Sequence, residues 1–234
     1  MRGISTTNAC PDGALAVDVA GVACWFLAQR AAFLPAMSTL LLADWHLGKT
    51  PVFGRFGLPI PAGDEAHDFA RLAQIVASVP VRRILVLGDL MHAAPSAADS
   101  WPQDLSDWLQ AHSHLQMTVV AGNHDRIDPA RLPAGLSKHL TWHAGALDEG
   151  NLRFEHEPDR VPGRFVIAGH LHPTRRLVVG ADRIRAPAFW LQRDRLVLPS
   201  FGSFTGGHNI RPLRGDRVFV TDGDDVIDVS IATT

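Results

Sequence analysis

The chain has 234 residues, of which 46% are hydrophobic and 20% charged, and its formal net charge is −2. This is the composition of an ordinary globular protein that can bury one large core without disulfide staples, and the net charge alone does not indicate a polyanionic partner. No stretch reaches the roughly 18 unbroken apolar residues of a membrane span. We predict a single domain over residues 1–234 with no membrane association.

The two cysteines, Cys10 and Cys24, are not spaced as a CxxC motif. Such sparse cysteines fit free thiols in a reducing compartment better than a disulfide framework. The first twenty residues also lack the apolar segment of a signal peptide. We therefore expect a cytoplasmic protein, in which neither cysteine is a metal ligand.

Five apolar, β-rich runs end abruptly in polar clusters. In chain order they read "STLLLADWH", "RRILVLGDLMH", "MTVVAGNHD", "NLRFEHEP" and "RFVIAGHLHP". Each run predicts a strand that delivers Asp, Asn or His at its exit. In layered α/β proteins, ligands gather at the carboxyl ends of the strands, so we expect these polar clusters to meet.

Two helices are predicted between these strands. Residues 62–80 place apolar side chains at helical spacing and end at Pro80, and residues 96–113 form a second helical pattern. After Pro173 the pattern changes to short strands separated by turns. This change predicts a second sheet that packs on the first.

The run "VIAGHLHPT" places His170 and His172 one residue apart at a strand exit. Alternate side chains of a strand point to the same face, so two such histidines can converge on a metal ion. The chain has 12 histidines, however, and an isolated pair also fits ordinary polar groups. The metal interpretation therefore requires partners elsewhere in the sequence.

The other strand exits supply these partners. Together the five exits offer seven candidate ligands, which are Asp44, His46, Asp89, Asn123, His156, His170 and His172. Carboxylate, imidazole and amide oxygen suit divalent ions such as Mn²⁺, Fe²⁺ or Zn²⁺, and the absence of cysteine argues against a closed structural zinc site. The set is large enough for two metal ions.

The ordered motifs "ADWHLGK", "GDLMH", "GNHD", "HEP" and "GHLHP" resemble those of calcineurin-like metallophosphoesterases. With the tail "LVLPSFGSFTGG", they are similar to the bacterial ligase-associated DNA damage response endonucleases of that superfamily. Trp45 departs from the pattern, because an aliphatic residue usually stands there. The resemblance implies an α/β fold, a four-layer sandwich of two mixed β-sheets flanked by helices.

Carried over by position, the resemblance implies one metal held by Asp44, His46, Asp89 and His172. The second metal would be held by Asp89, Asn123, His156 and His170, so that Asp89 is the bridge. His143 is a rival for His156, but His156 follows the strand-like "NLRFE" and precedes Glu157 and Pro158 as the family pattern requires.

Five further residues are candidates for the chemistry. His124 is placed to protonate the leaving oxygen, and Asp125 to orient it. His92 is a candidate phosphate contact or, alternatively, a partly buried loop histidine. Lys49 and Arg126 lie beside motifs as substrate-binding candidates, although charged loop residues are usually only solvated.

The charge is uneven along the chain. The stretch from Arg153 to Arg217 holds 12 arginines and 6 acidic residues. This excess favours contact with a phosphate backbone, but the strong preference for arginine over lysine can also reflect the base composition of the coding DNA.

The resemblance implies a Mn²⁺-dependent DNA endonuclease in DNA repair, functionally associated with DNA ligase or helicase proteins. The residues alone imply only phosphoester hydrolysis. One alternative is a hydrolase of small nucleotides in the same superfamily. A protein phosphatase fits less well, because "GDLMHAAP" lacks the arginine that follows the bridging aspartate of those enzymes. A metal-binding scaffold without activity would retain the fold but need not retain every ligand.

Overall fold

The computed structural model describes residues 9–49, 64–97, 99–128, 132–180 and 182–230. The helices in these ranges are α1 (Asp64–Ser78), α2 (Trp101–Ala111) and α3 (Ala134–Ser137), with a 3₁₀ turn at Pro35–Met37. The strands form two sheets. The first sheet contains β1 (Leu15–Val19), β2 (Val22–Leu27), β3 (Ala31–Leu34), β4 (Thr39–Leu42), β5 (Arg83–Leu87), β6 (Gln116–Val120) and β7 (Leu140–His143). The second contains β8 (Leu147–Glu149), β9 (Leu152–Phe154), β10 (Phe165–Ala168), β11 (Pro173–Val179), β12 (Asp182–Leu191), β13 (Arg195–Val197), β14 (His208–Asn209), β15 (Arg217–Thr221) and β16 (Val226–Asp228).

The first sheet follows chain order from β1 to β7 and changes character at β4. Strands β1 to β4 are antiparallel, whereas β4 to β7 run parallel. Parallel neighbours need a crossover connection, and α1, α2 and α3 lie in the three crossovers. The carboxyl ends of the parallel strands therefore share one edge of the sheet.

The second sheet has the order β14-β11-β12-β13-β10-β9-β8, with β15 and β16 added beside β12. Strands β9, β10 and β13 are parallel, and most other pairs are antiparallel. The prediction that this sheet begins after Pro173 is wrong, because β8 to β10 already belong to it. Pro173 itself is the first residue of β11.

The core is layered. Apolar residues of α1, α2 and α3 pack with one face of the first sheet, and its other face packs against the second sheet. A smaller apolar cluster covers the outer face of the second sheet, where no helix packs among the described residues. The predicted α/β sandwich of two mixed sheets is confirmed.

Both predicted helices are present, but each spans fewer residues than its predicted range of 62–80 or 96–113. Helix α1 spans Asp64–Ser78, and residues 62 and 63 of its predicted range lie outside the described residues. Helix α2 begins at Trp101 with Pro102 in its first turn, where the missing proline N–H costs no hydrogen bond. None of the helices described has the length and apolar character needed to cross a membrane.

Candidate metal centre

All seven predicted ligands follow parallel strands. The exits are those of β4 (Asp44, His46), β5 (Asp89), β6 (Asn123), β9 (His156) and β10 (His170, His172). Strands β4 to β6 belong to the first sheet and β9 and β10 to the second. The two sheets therefore contribute ligands to one place, from opposite sides.

The backbone of these exits is left-handed. Eight non-glycine residues with positive φ are found among the described residues, and five of them are predicted ligands: Asp44, His46, Asp89, His170 and His172. Such φ values are uncommon for residues with a Cβ and concentrate at functional sites. They also correct the sequence argument: His170 and His172 do not converge by strand alternation, because both lie beyond β10 with φ of 69° and 44°.

Glycines allow the exits to approach one another. A Cβ on Gly88 would lie 2.1 Å from Nδ1 of His156, and a Cβ on Gly169 would lie 2.7 Å from Oδ2 of Asp44. Both distances are far below van der Waals contact. These two positions must stay without a side chain if the ligands are to meet.

The first cluster joins β4 to the end of β10. Nε2 of His172 lies 3.4 Å from Nε2 of His46 and also 3.4 Å from Oδ1 of Asp44. Asp44 and His46 are buried, and His172 is half-buried. Three possible ligand atoms, from Asp44, His46 and His172, are thus close enough together to hold one metal ion.

The second cluster joins β6, β9 and β10. Oδ1 of Asn123 lies 2.9 Å from Nε2 of His156 and 3.1 Å from Nδ1 of His170. The two ring nitrogens are 3.1 Å apart. His143, the alternative to His156, lies in β7, where its carbonyl accepts the amide of Ala121.

Asp89 lies between the two clusters. Its Oδ2 is 3.7 Å from Nε2 of His46 and 3.5 Å from Nε2 of His156. Its other oxygen, Oδ1, accepts the backbone N–H of His124 at 2.9 Å. One carboxylate oxygen is therefore available to both clusters, which is the arrangement required of a bridging ligand.

The donor set fits divalent cations. Nδ1 of His156 donates to the carbonyl of Leu87, and Nδ1 of His172 donates to that of Gly206, so in the neutral rings Nε2 carries the lone pair. Burial, followed by the positive charge of His172 when protonated, lowers the pKa of His46 to about 2 and keeps that ring neutral. Lone pairs this close to one another and to carboxylates suit a bound cation.

His124 and His92 lie at the open side of the clusters. Their rings stack with centroids 5.2 Å apart, and Nδ1 of His124 donates to the backbone carbonyl of His92. The His124 ring lies 5.1 Å from the ring of His46. His124 is exposed, and one of its ring nitrogens lies within 4.8 Å of ring nitrogens of His46 and His92.

Asp125 differs from expectation. Its carboxylate accepts the backbone amides of Leu90, Met91 and Gly122 rather than contacting the ring of His124, which the carbonyl of His92 orients. Burial raises the pKa of Asp125, although these backbone hydrogen bonds oppose the shift. Asp125 therefore ties the exit of β5 to the exit of β6.

The two predicted substrate-binding residues lie on different sides of the centre. Lys49 lines a small recess with His46 and Trp45, and burial lowers its pKa. Arg126 is exposed and lines a groove with Asn123 and His156. Each therefore lines a recess that also contains at least one predicted ligand.

A buried network on α1 was not predicted. Nη2 of Arg71 donates to Oδ1 of Asp68 at 2.9 Å and also to the carbonyl of Phe201, over whose ring the guanidinium lies. The backbone amide of Ser203 donates to Asp68 at 3.1 Å. The only sequence signal is the position of Asp68 and Arg71 on the apolar face of α1, beside Leu72.

This network holds a segment that supports the first cluster. The segment comprises residues 200–206 and is called the support loop below. Ser200 Oγ donates to the carbonyl of Asp44 at 2.8 Å, the amide of Gly202 donates to the same carbonyl, and the carbonyl of Gly206 accepts Nδ1 of His172. A Cβ on Gly202 would lie 2.1 Å from the carbonyl oxygen of Trp45, so the two backbones are in direct contact.

Two mixed sheets bring the seven predicted metal ligands together at their strand ends, as in a metallophosphoesterase. The family of calcineurin-like phosphoesterases matches residues 37–164, which is more than half of the chain. The chain belongs to this family and is a phosphoester hydrolase. Its predicted resemblance to calcineurin-like metallophosphoesterases is confirmed, and the family uses dinuclear metal sites.

Two relatives are nucleases. The crystal structure of Pseudomonas putida nuclease MPE is similar over 92% of this chain and 100% of that chain, with a TM-score of 0.78 and 30% identity. The SbcD component of nuclease SbcCD from Rhodobacter capsulatus is 27% identical over 143 residues, or 59% of this chain. That match covers 31% of the relative, so the chain spans about a third of its length.

Proposed function

We propose that the protein is a two-metal phosphodiesterase that cleaves DNA internally. The observation that carries the proposal is the position of Asp89 Oδ2, which lies within 3.7 Å of a ring nitrogen in each cluster. A single carboxylate between two ligand sets is what a pair of divalent ions requires. The chemistry that such a pair supplies when bound is activation of water and neutralisation of charge on a phosphoryl group.

We assign protonation of the leaving alkoxide to His124. Because its Nδ1–H donates to the carbonyl of His92, the proton that it can give to a leaving alkoxide is on Nε2. His92 acts through this carbonyl and through ring stacking. Lys49 and Arg126 are proposed to hold the substrate phosphates on either side.

DNA is the proposed substrate because both relatives are nucleases and because the chain carries an excess of arginine between Arg153 and Arg217. Mn²⁺ is the proposed metal, since imidazole, amide and carboxylate ligands without thiolate suit it. A role in DNA repair beside ligase or helicase proteins rests on the resemblance of the motifs. The free thiols of Cys10 and Cys24 fit the proposed cytoplasmic location.

The test is incubation of the purified protein with Mn²⁺ and closed circular single-stranded DNA, alongside cyclic mononucleotides and dinucleoside polyphosphates. We expect the circles to become linear, because only internal cleavage can open them. The matched control is a His170→Ala variant, which lacks a proposed ligand and should leave the circles intact. Hydrolysis confined to the small nucleotides would show that the enzyme belongs to the small-molecule class instead.

A further inference from the structure

The hairpin formed by β11 and β12 leaves the metal centre directly. Strand β11 begins at Pro173, next to the proposed ligand His172, and its first residues pair with β14. The carbonyl of Gly206 accepts Nδ1 of His172, and the carbonyl of the next residue, Gly207, accepts Nη1 of Arg185 from β12. The base of the hairpin is therefore anchored at the first ligand cluster.

One face of this hairpin carries three exposed arginines. Arg176 of β11 stands directly opposite Arg185 of β12, and Arg183 is two residues along the same strand. Because side chains alternate along a strand, Arg183 and Arg185 lie on the same face as Phe189, which packs between the two sheets. The arginine face is thus the face of the hairpin that continues into the interface between the two sheets.

Some arginines of the same basic stretch are neutralised by a carboxylate partner, and the three hairpin arginines are not among them. Arg153, Arg160, Arg195 and Arg217 each form an ion pair with a carboxylate. No described carboxylate forms an ion pair with any of the three hairpin arginines. Like charges placed directly opposite on a sheet destabilise it, so the pair of Arg176 and Arg185 weakens the hairpin unless an anion lies between them.

We propose that this hairpin is a DNA-binding arm, in which Arg176, Arg183 and Arg185 contact successive phosphates of the strand that leaves the metal centre. The proposal rests on the proposed function for the identity of the polymer. On the opposite face of the hairpin, Leu177 and Ala186 pack against the apolar cluster that contains Ile210, which leaves the arginine face for the ligand. A guanidinium fork binds phosphate oxygens in a bidentate manner and does not depend on base sequence.

The test compares two double variants that remove equal charge. The arm variant carries Arg176→Gln and Arg183→Gln. Arg185 is kept because its guanidinium donates a hydrogen bond to the carbonyl of Gly207. The control is Arg160→Gln with Arg217→Gln, which removes two exposed arginines that already have carboxylate partners. Binding of a fluorescent single-stranded oligonucleotide is measured in EDTA across a salt series, so that no cleavage occurs.

We expect the arm variant to bind at least about tenfold more weakly than the control, with a salt slope smaller by about 1.4, because each lost phosphate contact on a single strand removes roughly 0.7. Hydrolysis of bis(4-nitrophenyl) phosphate should equal that of the parent, since this small diester does not reach the arm. Equal DNA binding by the two variants would contradict the proposal that the hairpin is a DNA-binding arm. A parent protein that does not bind DNA would contradict it as well. A parent that binds but does not cleave with Mn²⁺ would instead contradict the proposed function and leave the arm intact.

Discussion

The backbone amide of His124 donates a 2.9 Å hydrogen bond to Oδ1 of Asp89. This bond fixes one oxygen of the carboxylate and leaves Oδ2 directed between the ring nitrogens of His46 and His156. The residue proposed to protonate the leaving group is therefore joined through its backbone to the residue proposed to bridge the metals. The geometry of the bridge and the position of the proton donor depend on the same contact.

Replacement of Asp89 by alanine tests the bridge. Both ions would lose a ligand and the negative charge that keeps them close, so we expect hydrolysis of every ester to fall by at least about two orders of magnitude. The measurement is bound Mn²⁺ per chain together with turnover of a nitrophenyl diester. Residual activity within tenfold of the parent would be incompatible with a bridging role.

Alanine substitutions of the neighbouring residues Asn123 and His124 should lower activity for different reasons. Asn123→Ala removes an oxygen of the second cluster, so it should weaken Mn²⁺ binding and lower cleavage of all esters, with partial rescue at high Mn²⁺. His124→Ala should keep its metal content and lose most activity on DNA, whose alkoxide leaving group needs a proton. A nitrophenolate leaves without such help, so its release should fall much less.

The comparison is made as kcat on both substrates, with the metal content of each variant measured in parallel. Loss of a bound ion in the His124→Ala protein would identify His124 as a ligand. Equal losses on the two substrates would exclude the role of proton donor.

The buried pair of Arg71 and Asp68 is expected to set the affinity of the first metal. Arg71→Lys keeps the positive charge but cannot hold Asp68 and the carbonyl of Phe201 together, because an ammonium group lacks the guanidinium fork. The support loop would then shift and misalign His172. We expect one of the two Mn²⁺ dissociation constants to rise by about tenfold, the lower end of the effect of such outer-shell residues.

The control for this variant is Arg83→Lys. Arg83 forms a two-pronged ion pair with Glu149 at the opposite ends of the strands from the ligands. The Arg83→Lys variant should have a lower unfolding temperature but unchanged dissociation constants for both Mn²⁺ ions. If both variants shift metal affinity in proportion to their loss of stability, the network is only structural.

Gly88 provides a test of the close approach between the sheets. In Gly88→Ala the new Cβ would collide with the ring of His156, and the φ of +77° adds backbone strain. Gly21→Ala has a similar φ of +83° but meets nothing within 4 Å, so it carries the strain alone, about 1–2 kcal/mol. We expect Gly88→Ala to unfold at a clearly lower temperature than Gly21→Ala and to lose one Mn²⁺. Equal stability and full metal content would show that the ring can move aside.

The strand exits were predictable because each is a local pattern. An apolar run followed by Asp44, Asp89, Asn123, His156 or His170 specifies both a buried strand and the polar group that leaves it. All five runs form strands, β4, β5, β6, β9 and β10. The geometry at their ends brings the predicted ligands close to one another, and their binding of metal stays a prediction.

The missed features are long-range. The sequences of β9 and β10 show the same pattern as those of β4, β5 and β6. They belong to the second sheet because β10 pairs with β13 and β9 pairs with β10, and the sequence pattern does not reveal this pairing. The contact between Asp68 and Ser203 joins residues 135 apart in sequence, so no local pattern encodes it. The left-handed backbone at His170 and His172 is also not encoded by a local pattern, because positive φ is uncommon for any non-glycine residue, even though histidine adopts it more often than most.

The central claim is that two metal ions share Asp89 at the junction of the two sheets. Anomalous scattering from crystals grown with Mn²⁺ tests it most directly, because it locates the ions without reference to activity. We predict two peaks about 3.5–4 Å apart, one beside His46 and His172 and the other beside His156 and His170, with an oxygen of Asp89 in contact with both. A single peak at full occupancy, or two peaks that do not share Asp89, would contradict the account.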